Sequence, residues 1–358
     1  MSKRKAPNSP GSSTLADPMN DESDFKATSS GSSSDSSGNL FRVRFERGAL
    51  LHDAVTYLSA LNKSCKFEVW FTLMAEENKT YFTMTIKGVD HFTKCRVICS
   101  LLDQNDNVIN PGKMTQTLSR FPISFSQVER TFASVDRTKP VLFTRQGNNF
   151  SLEYRTKHEV FMSVGLTYTE PTDEEQLSEL INSLQYEHQL LVPRSNMADF
   201  FDQAMKIDNT VVNALIYHFD DLKVLELQLD AKPDEAKHTC FCRIGYEDIV
   251  SVDMTDQVET PPTKPKTERP SLDSICTLNN LYLVNTYRKD IFGALAKIGN
   301  VDRFKVFMEP VQVNSNIPPT PARFTVDTGD VFASFYLNQY INPDALIQEK
   351  ISAARQKK

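Results

Sequence analysis

The stretch QLLVPRSNMADFFDQAMKI, Gln189 to Ile207, decides the fold. Its apolar run Leu190-Leu191-Val192 stops at Pro193, and a helical pattern follows at once. Met197, Phe200, Phe201, Ala204 and Met205 recur at intervals of three and four, which places them on one side of a helix. The same succession stands near residue 40. There Phe41, Val43 and Phe45 alternate as a strand, Gly48 breaks it, and Leu50, Leu51, Ala54, Val55, Leu58 and Leu61 form a helical stripe. A strand feeding a helix, met again about 150 residues further on, predicts two copies of one unit.

Between these two starts the chain is strand-rich. Cys65–Met74, Thr80–Ile86 and Lys94–Leu102 carry the Phe, Val, Thr and Tyr of strands. Ser124–Val135 predicts a second helix with Phe125, Val128, Phe132 and Val135 on one face, and Ser126 with Glu129 resembles a capping box. Strands are expected at Pro140–Arg145 and Phe150–Arg155, joined at Gly147-Asn148-Asn149, and at His158–Tyr168. Thr169–His188 is acidic and turn-rich, a connector with a short helix.

The order then repeats, with strands expected at Val211–Phe219, Lys223–Leu229 and His238–Ile249. Residues 255–273 read as an exposed loop. Leu281–Val284 leads, with Asn285 as cap, into a helix that turns Tyr287, Ile291, Leu295 and Ile298 inward. Strands at Phe304–Glu309, Ala322–Val326 and Val331–Tyr340 follow. Each half is thus strands plus two helices, an α+β fold with mainly antiparallel sheets.

Composition narrows the function. With 40% hydrophobic residues and 23 Phe the chain can build real cores, and a net charge of −6 excludes a globally basic nucleic-acid binder while leaving room for a local basic face. Cys95/Cys99 and Cys240/Cys242 fall at even spacings within strands and read as half-buried thiols. No C-x-x-C pair points to a metal site, so none is expected. No long apolar run predicts a membrane span, and the expected protein is soluble and intracellular. Phosphate-cradling glycine loops and nucleophile motifs are missing, so the expectation is a protein that is not an enzyme, with no catalytic residues and no cofactor. Residues 1–39, rich in Ser, Gly, Asp and Asn, read as a disordered extension, with Lys3-Arg4-Lys5 as a short basic cluster. Residues 343–358 read as a basic-ended tail.

Leu40-Phe41-Arg42-Val43-Arg44-Phe45 with Gly48-Ala49-Leu50-Leu51 resembles the first strand and helix of the sliding-clamp family of eukaryotes and archaea. Leu191-Val192-Pro193 and the following helix resemble the start of that family's second domain. Val326-Asp327-Thr328-Gly329 before Phe335-Tyr336-Leu337 is similar to its closing strands. The resemblance covers roughly Leu40 to Pro343 and rests on collinear order rather than on one motif. It implies two tandem clamp domains, 40–168 and 189–342, joined by the connector 169–188, with antiparallel sheets outside and two helices per domain lining a ring channel. It also implies a homotrimer closed head to tail, in which the strand 158–168 of one copy pairs with 238–249 of the next.

Function follows as an expectation from the same resemblance. The protein would be a DNA polymerase processivity factor that encircles double-stranded DNA without reading sequence, loaded by a clamp loader. It would act in the nucleus or, for a viral clamp, at a cytoplasmic replication site. Opposite the apolar helix stripes, Lys63, Arg130, Arg137, Lys206, Arg288, Lys289 and Lys297 are the expected DNA-facing cations. The family's partner pocket, which takes a short peptide from polymerases and other clamp-binding proteins, maps to Leu177, Leu180 and Ile181 in the connector. Its other wall is Pro321 with Phe335, Tyr336, Leu337, Asn338 and Gln339. Asp53, Asp199 and Asp202 depart from the family by placing acids where its channel helices usually carry cations. Two alternatives stay open: a subunit of a heterotrimeric checkpoint clamp, and a clamp-fold interaction scaffold that does not bind DNA.

Overall fold

In β1 (Leu40–Phe45) Val43 and Phe45 turn inward and Arg42 and Arg44 outward, and α1 (Ala49–Leu61) then lays Leu50, Leu51, Ala54, Val55 and Leu58 on the same core. Gly48, between them, is held where a Cβ would fall on the backbone oxygen of Asp136. The computed structural model describes residues 40–62, 68–76, 78–88, 91–110, 112, 116–147, 149–156, 158–167, 184, 186, 188–207, 210–230, 239–245, 250–252, 259–260, 269–309 and 320–339, all within one unit, Gly38–Lys358. The extension 1–39, the connector's helix and the tail 343–358 lie outside the described residues.

The first half continues with β2 (Glu68–Glu76), β3 (Lys79–Lys87), β4 (His91–Leu102), β5 (Gln116–Ser124), α2 (Phe125–Ser134), β6 (Val141–Gln146), β7 (Asn149–Arg155) and β8 (Phe161–Thr167). The second half runs through β9 (His188–Pro193), α3 (Arg194–Ala204), β10 (Val211–Phe219), β11 (Leu222–Asp230), β12 (Thr239–Ile244), β13 (Val250–Val252), β14 (Glu259–Thr260) and α4 (Leu272–Ile275). It closes with β15 (Leu281–Arg288), α5 (Lys289–Ala296), β16 (Arg303–Met308), β17 (Ala322–Asp327) and β18 (Val331–Leu337).

Every strand pairing is antiparallel, and the pairings of the two halves match. The run β1-β6-β7-β8 has its counterpart in β9-β16-β17-β18, and β5-β2-β3 in β15-β10-β11. One strand, β4, pairs with both β3 and β1; in the second half that work is divided between β12, on β11, and β13, on β9. The halves join where β18 pairs with β4 from Val331↔Val97 to Leu337↔His91.

The four long helices among the described residues press on one continuous core. In the first half the rings of Phe71, Phe82, Phe121, Phe143 and Phe150 pack with centroids as close as 4.3 Å. Each such ring taken from water contributes about 1.5–3 kcal/mol. In the second, Phe201, Tyr287, Phe292, Phe304 and Phe324 do the same. The helices touch in the order α2, α1, α5, α3, forming a layer whose outer faces are polar.

Several expectations are corrected. β5 is a strand that the sequence reading passes over, because its sequence QTLSRFPIS is largely polar and carries Pro122. Paired only with β2 among the described residues, it is an edge strand there, where proline is tolerated. Ser126 and Glu129 form no capping box: Ser124 holds the N-cap position and Glu129 accepts from Ser59 on α1 at 3.3 Å. Asn285 is not a helix cap but a buried strand residue, donating to the Tyr287 hydroxyl and the Glu309 carbonyl, and α5 starts at Lys289. The strand expected over His238–Ile249 ends at Ile244. Within the stretch expected to be exposed loop, β14 pairs with β13, and Leu272 at the start of α4 packs on a small second core of Leu215, Tyr217, Leu222, Val224 and Ile275.

Candidate nucleic-acid and partner interfaces

The outer faces of the helix layer follow from the same periodicity that builds the core: every third or fourth residue is buried, and those between reach water. Arg130 on α2 is exposed. Arg137, just beyond α2, reaches across to Asp53 of α1 at 3.1 Å. Lys206, past the end of α3, is exposed and donates to Gln203 at 3.1 Å. Lys297, at the C-cap of α5, is exposed. Arg288 is tied to Asp290 by two bonds, 2.8 and 3.2 Å, and Lys63 lies outside the described residues.

Lys289 has a different occupation. Its ammonium donates to the backbone oxygen of Ile207, 2.8 Å away just past α3, while Arg194, the first residue of α3, donates to Ala296 at the end of α5 at 3.1 Å. The two helices therefore run antiparallel, and the cation beginning each one caps the other's C-terminal end, where the helix dipole favours positive charge. The four helices carry Arg130, Arg194 and Lys289 against Asp53, Glu129, Asp199, Asp202 and Asp290. Positive charge reaches this layer from the residues flanking the helices, and Asp199 and Asp202 are exposed on α3.

On the other side of the sheet, Tyr336 and Phe335 separate by strand alternation. Phe335 is fully buried, edge-on to Tyr57 of α1, and Leu337 is buried in the same core. Tyr336 faces outward and packs against Phe92 with Leu184 of the connector beside it. Burial raises its phenol pKa. Gln339 donates to the Thr320 carbonyl at 3.0 Å, Asn338 is exposed, and Pro321 accepts from the Tyr186 hydroxyl at 3.0 Å. Leu177, Leu180 and Ile181 lie outside the described residues. Sequence reasoning missed Tyr186 and Arg323: the guanidinium of Arg323 stacks on Phe307 at 3.8 Å and on Tyr186 at 5.0 Å, anchoring the connector's end to the sheet. A lone aromatic closing a polar connector was the available signal for Tyr186.

A groove of about 420 Å³ on the outer face of β1, β6 and β7 brings together Arg42, Arg44, Lys139 and Arg155. Arg42 pairs with Asp106 at 2.6 Å and Lys139 with Glu159 at 2.6 Å, so its charge is balanced from within and it makes no anion site.

No protein-family model and no curated protein matches the chain. Among solved structures, the proliferating cellular nuclear antigen of Entamoeba histolytica superimposes with a TM-score of 0.51 over 84% of this chain and 99% of that one, at 11% identity. The chain has the sliding-clamp fold. In this clamp fold, the matched halves, the join at β18 and β4, and the single layer of helices are explained together. At such low identity the likeness is one of backbone, and the chain is a divergent example of it.

Proposed function

We propose that the protein is a DNA sliding clamp, a ring of identical copies that encircles duplex DNA and tethers a polymerase and other enzymes carrying clamp-binding peptides. The halves are then two tandem clamp domains, the helix layer lines the channel, and a loader opens the ring on DNA. The observation that carries this reading is the repeat itself. The strands that join the halves within one chain, β18 and β4, have counterparts in β8 and β12, and each of these ends its sheet order with no further strand beyond it among the described residues. Two unpaired, matched edges on one chain favour head-to-tail closure, which also removes the hazard of exposed ladders. The placement of the action in the nucleus or at a viral replication site is part of the same proposal.

Retention on DNA tests it. Protein loaded on a closed circular plasmid stays through a high-salt wash and is released when the plasmid is linearised, and it raises the product length of a cognate polymerase. Equal loss from circular and linear DNA would sink the proposal.

A clamp-fold scaffold that does not hold DNA is the second reading, favoured by the excess of carboxylates on the helices. Replacing Asp199 and Asp202 by Asn separates the two. In a DNA clamp, removing two phosphate-repelling charges per copy strengthens DNA association several-fold and steepens its salt dependence, by roughly the Debye-screened interaction of exposed charges. In a scaffold neither quantity moves.

A further inference from the structure

The strand ladders fix which residues of the two halves correspond. Phe143, Leu152 and Val164 stand abreast in the first half as Val306, Phe324 and Phe335 do in the second, so Val160 and Phe161 match Val331 and Phe332. Met84↔Cys95 and Phe82↔Val97 match Leu227↔Cys242 and Leu225↔Ile244, so Arg243 matches Arg96. The join within the chain pairs Val331↔Val97, Phe332↔Arg96 and Ala333↔Cys95. Val331 is 1% exposed there, whereas its counterpart Val160 is 52% exposed. Phe161 is 61% exposed, and Phe241 on β12 56%. These large apolar side chains stand on β8 and β12, each with no further strand beyond it among the described residues.

Arg243 differs from Arg96 in what holds it. The guanidinium of Arg96 lies 4.1 Å over the ring of Tyr81. Val224 occupies the matching place in the second half; Arg243 lies instead 5.1 Å over the ring of Phe241, two residues before it on β12, and is gripped by two carboxylates. Its Nε donates to Glu226 at 2.6 Å and its Nη1 to Asp273 at 2.5 Å, and the Tyr217 hydroxyl donates to the other Glu226 oxygen at 3.3 Å. Glu226, buried, stands where the first half has Thr83, and Asp273 comes from α4, which has no counterpart among the described residues of the first half. A buried acid and an added helical turn thus fix one arginine on the face of an edge strand.

We infer that Arg243 is the residue by which this chain recognises a second copy of itself, receiving the exposed ring of Phe161 in the register Val160–Ile244, Phe161–Arg243, Met162–Cys242, with Glu226 and Asp273 as its positioning residues. The inference rests on the ring reading and adds to it the contact that selects the partner. The chemistry is that of an arginine over an aromatic face, with the cation already ordered before the neighbour arrives.

The test uses the full chain and two readouts. Assembly is followed by light scattering across a dilution series, and register by Met162→Cys, which under mild oxidation gives covalent multimers through the native Cys242 and none in a Cys242→Ser background. Phe161→Ala and Arg243→Ala each weaken assembly about tenfold, the double variant is no weaker than either single one, and Asp273→Asn weakens it about threefold. Phe161 is exposed in the single chain, so its replacement leaves the unfolding of the dilute monomer unchanged. Intact assembly in both Phe161→Ala and Arg243→Ala, or a covalent link at another register, overturns the inference while leaving the ring. A wild-type chain that stays monomeric at tens of micromolar, or assembles only with a different subunit, removes the ring of identical copies and the inference with it.

Discussion

The ammonium of Lys289 rests 2.8 Å from the Ile207 oxygen, and that contact sets what its removal does. A partly buried, charge-assisted hydrogen bond contributes about 1.5–3 kcal/mol. Lys289→Ala therefore lowers the denaturation midpoint by a few degrees, about 2–4 °C per kcal/mol for a chain of this size class, while Arg130→Ala on an open helix face leaves the midpoint in place. A thermal melt of the two variants side by side checks this, and equal midpoints would show that the clasp between α3 and α5 is not structural. Sequence periodicity identified both residues as lying off the apolar stripe but could not separate them. Whether a cation points to solvent or to a neighbouring helix end depends on a contact 82 positions away. The same limit hid Arg194, Arg243 and Arg323, whose partners come from other elements.

At the scale of elements, β4 and β18 bear the load, since their pairing is the join between the two halves. Ala333→Pro in β18 removes a ladder donor from a strand that has no free side and costs on the order of 3 kcal/mol. The expected result is loss of cooperative unfolding across the whole chain, seen as early protease cleavage in both halves; a melt like wild type would show the join to be dispensable. Strands such as β6 and β7 were legible from alternation because one face of each is buried, β10 from a largely apolar run because both of its faces are, and the four helices from their stripes. Three features were not. β5 carries a proline that only an edge position permits, β12 stops at Gly245 where its counterpart β4 runs on, and β15 absorbs Asn285 because Tyr287 and the Glu309 carbonyl satisfy its amide. In each case the deciding fact is a neighbour, not a local propensity. The candidate DNA face was legible only as a set of positions: four of its cations, Arg137, Lys206, Arg288 and Lys289, already have partners in the single chain.

For the whole molecule, buried acids of the weak kind set the alkaline limit. Burial, then the charge of Asp53, pushes the Tyr57 phenol up to about 12, and burial pushes the Cys276 thiol up to about 11. Tyr186, Tyr217 and Tyr287, with Cys95 and Cys99, are also raised by burial. A folded value above the unfolded one means that the unfolded chain releases its proton first. Stability is therefore full below the unfolded values of 9.0 for Cys and 10.0 for Tyr, and is lost as pH climbs through the folded ones. Denaturant midpoints should hold level through neutral pH and fall from pH 9 upward, with phenolate absorbance rising only as the chain unfolds. Early, gradual phenolate formation in a chain that stays folded would contradict this.

Pro122 on β5 bears on the fate of the chain at high concentration. A proline in the outermost strand leaves an incoming backbone one donor short, which discourages stacking of chains through that margin into open-ended fibrils. In the proposed ring, growth would run instead through the margins formed by β8 and β12, whose union consumes both ends of a series once it meets itself. A concentrated solution should therefore reach a fixed particle size and stay clear, where a sheet protein with an unguarded margin would thicken and precipitate.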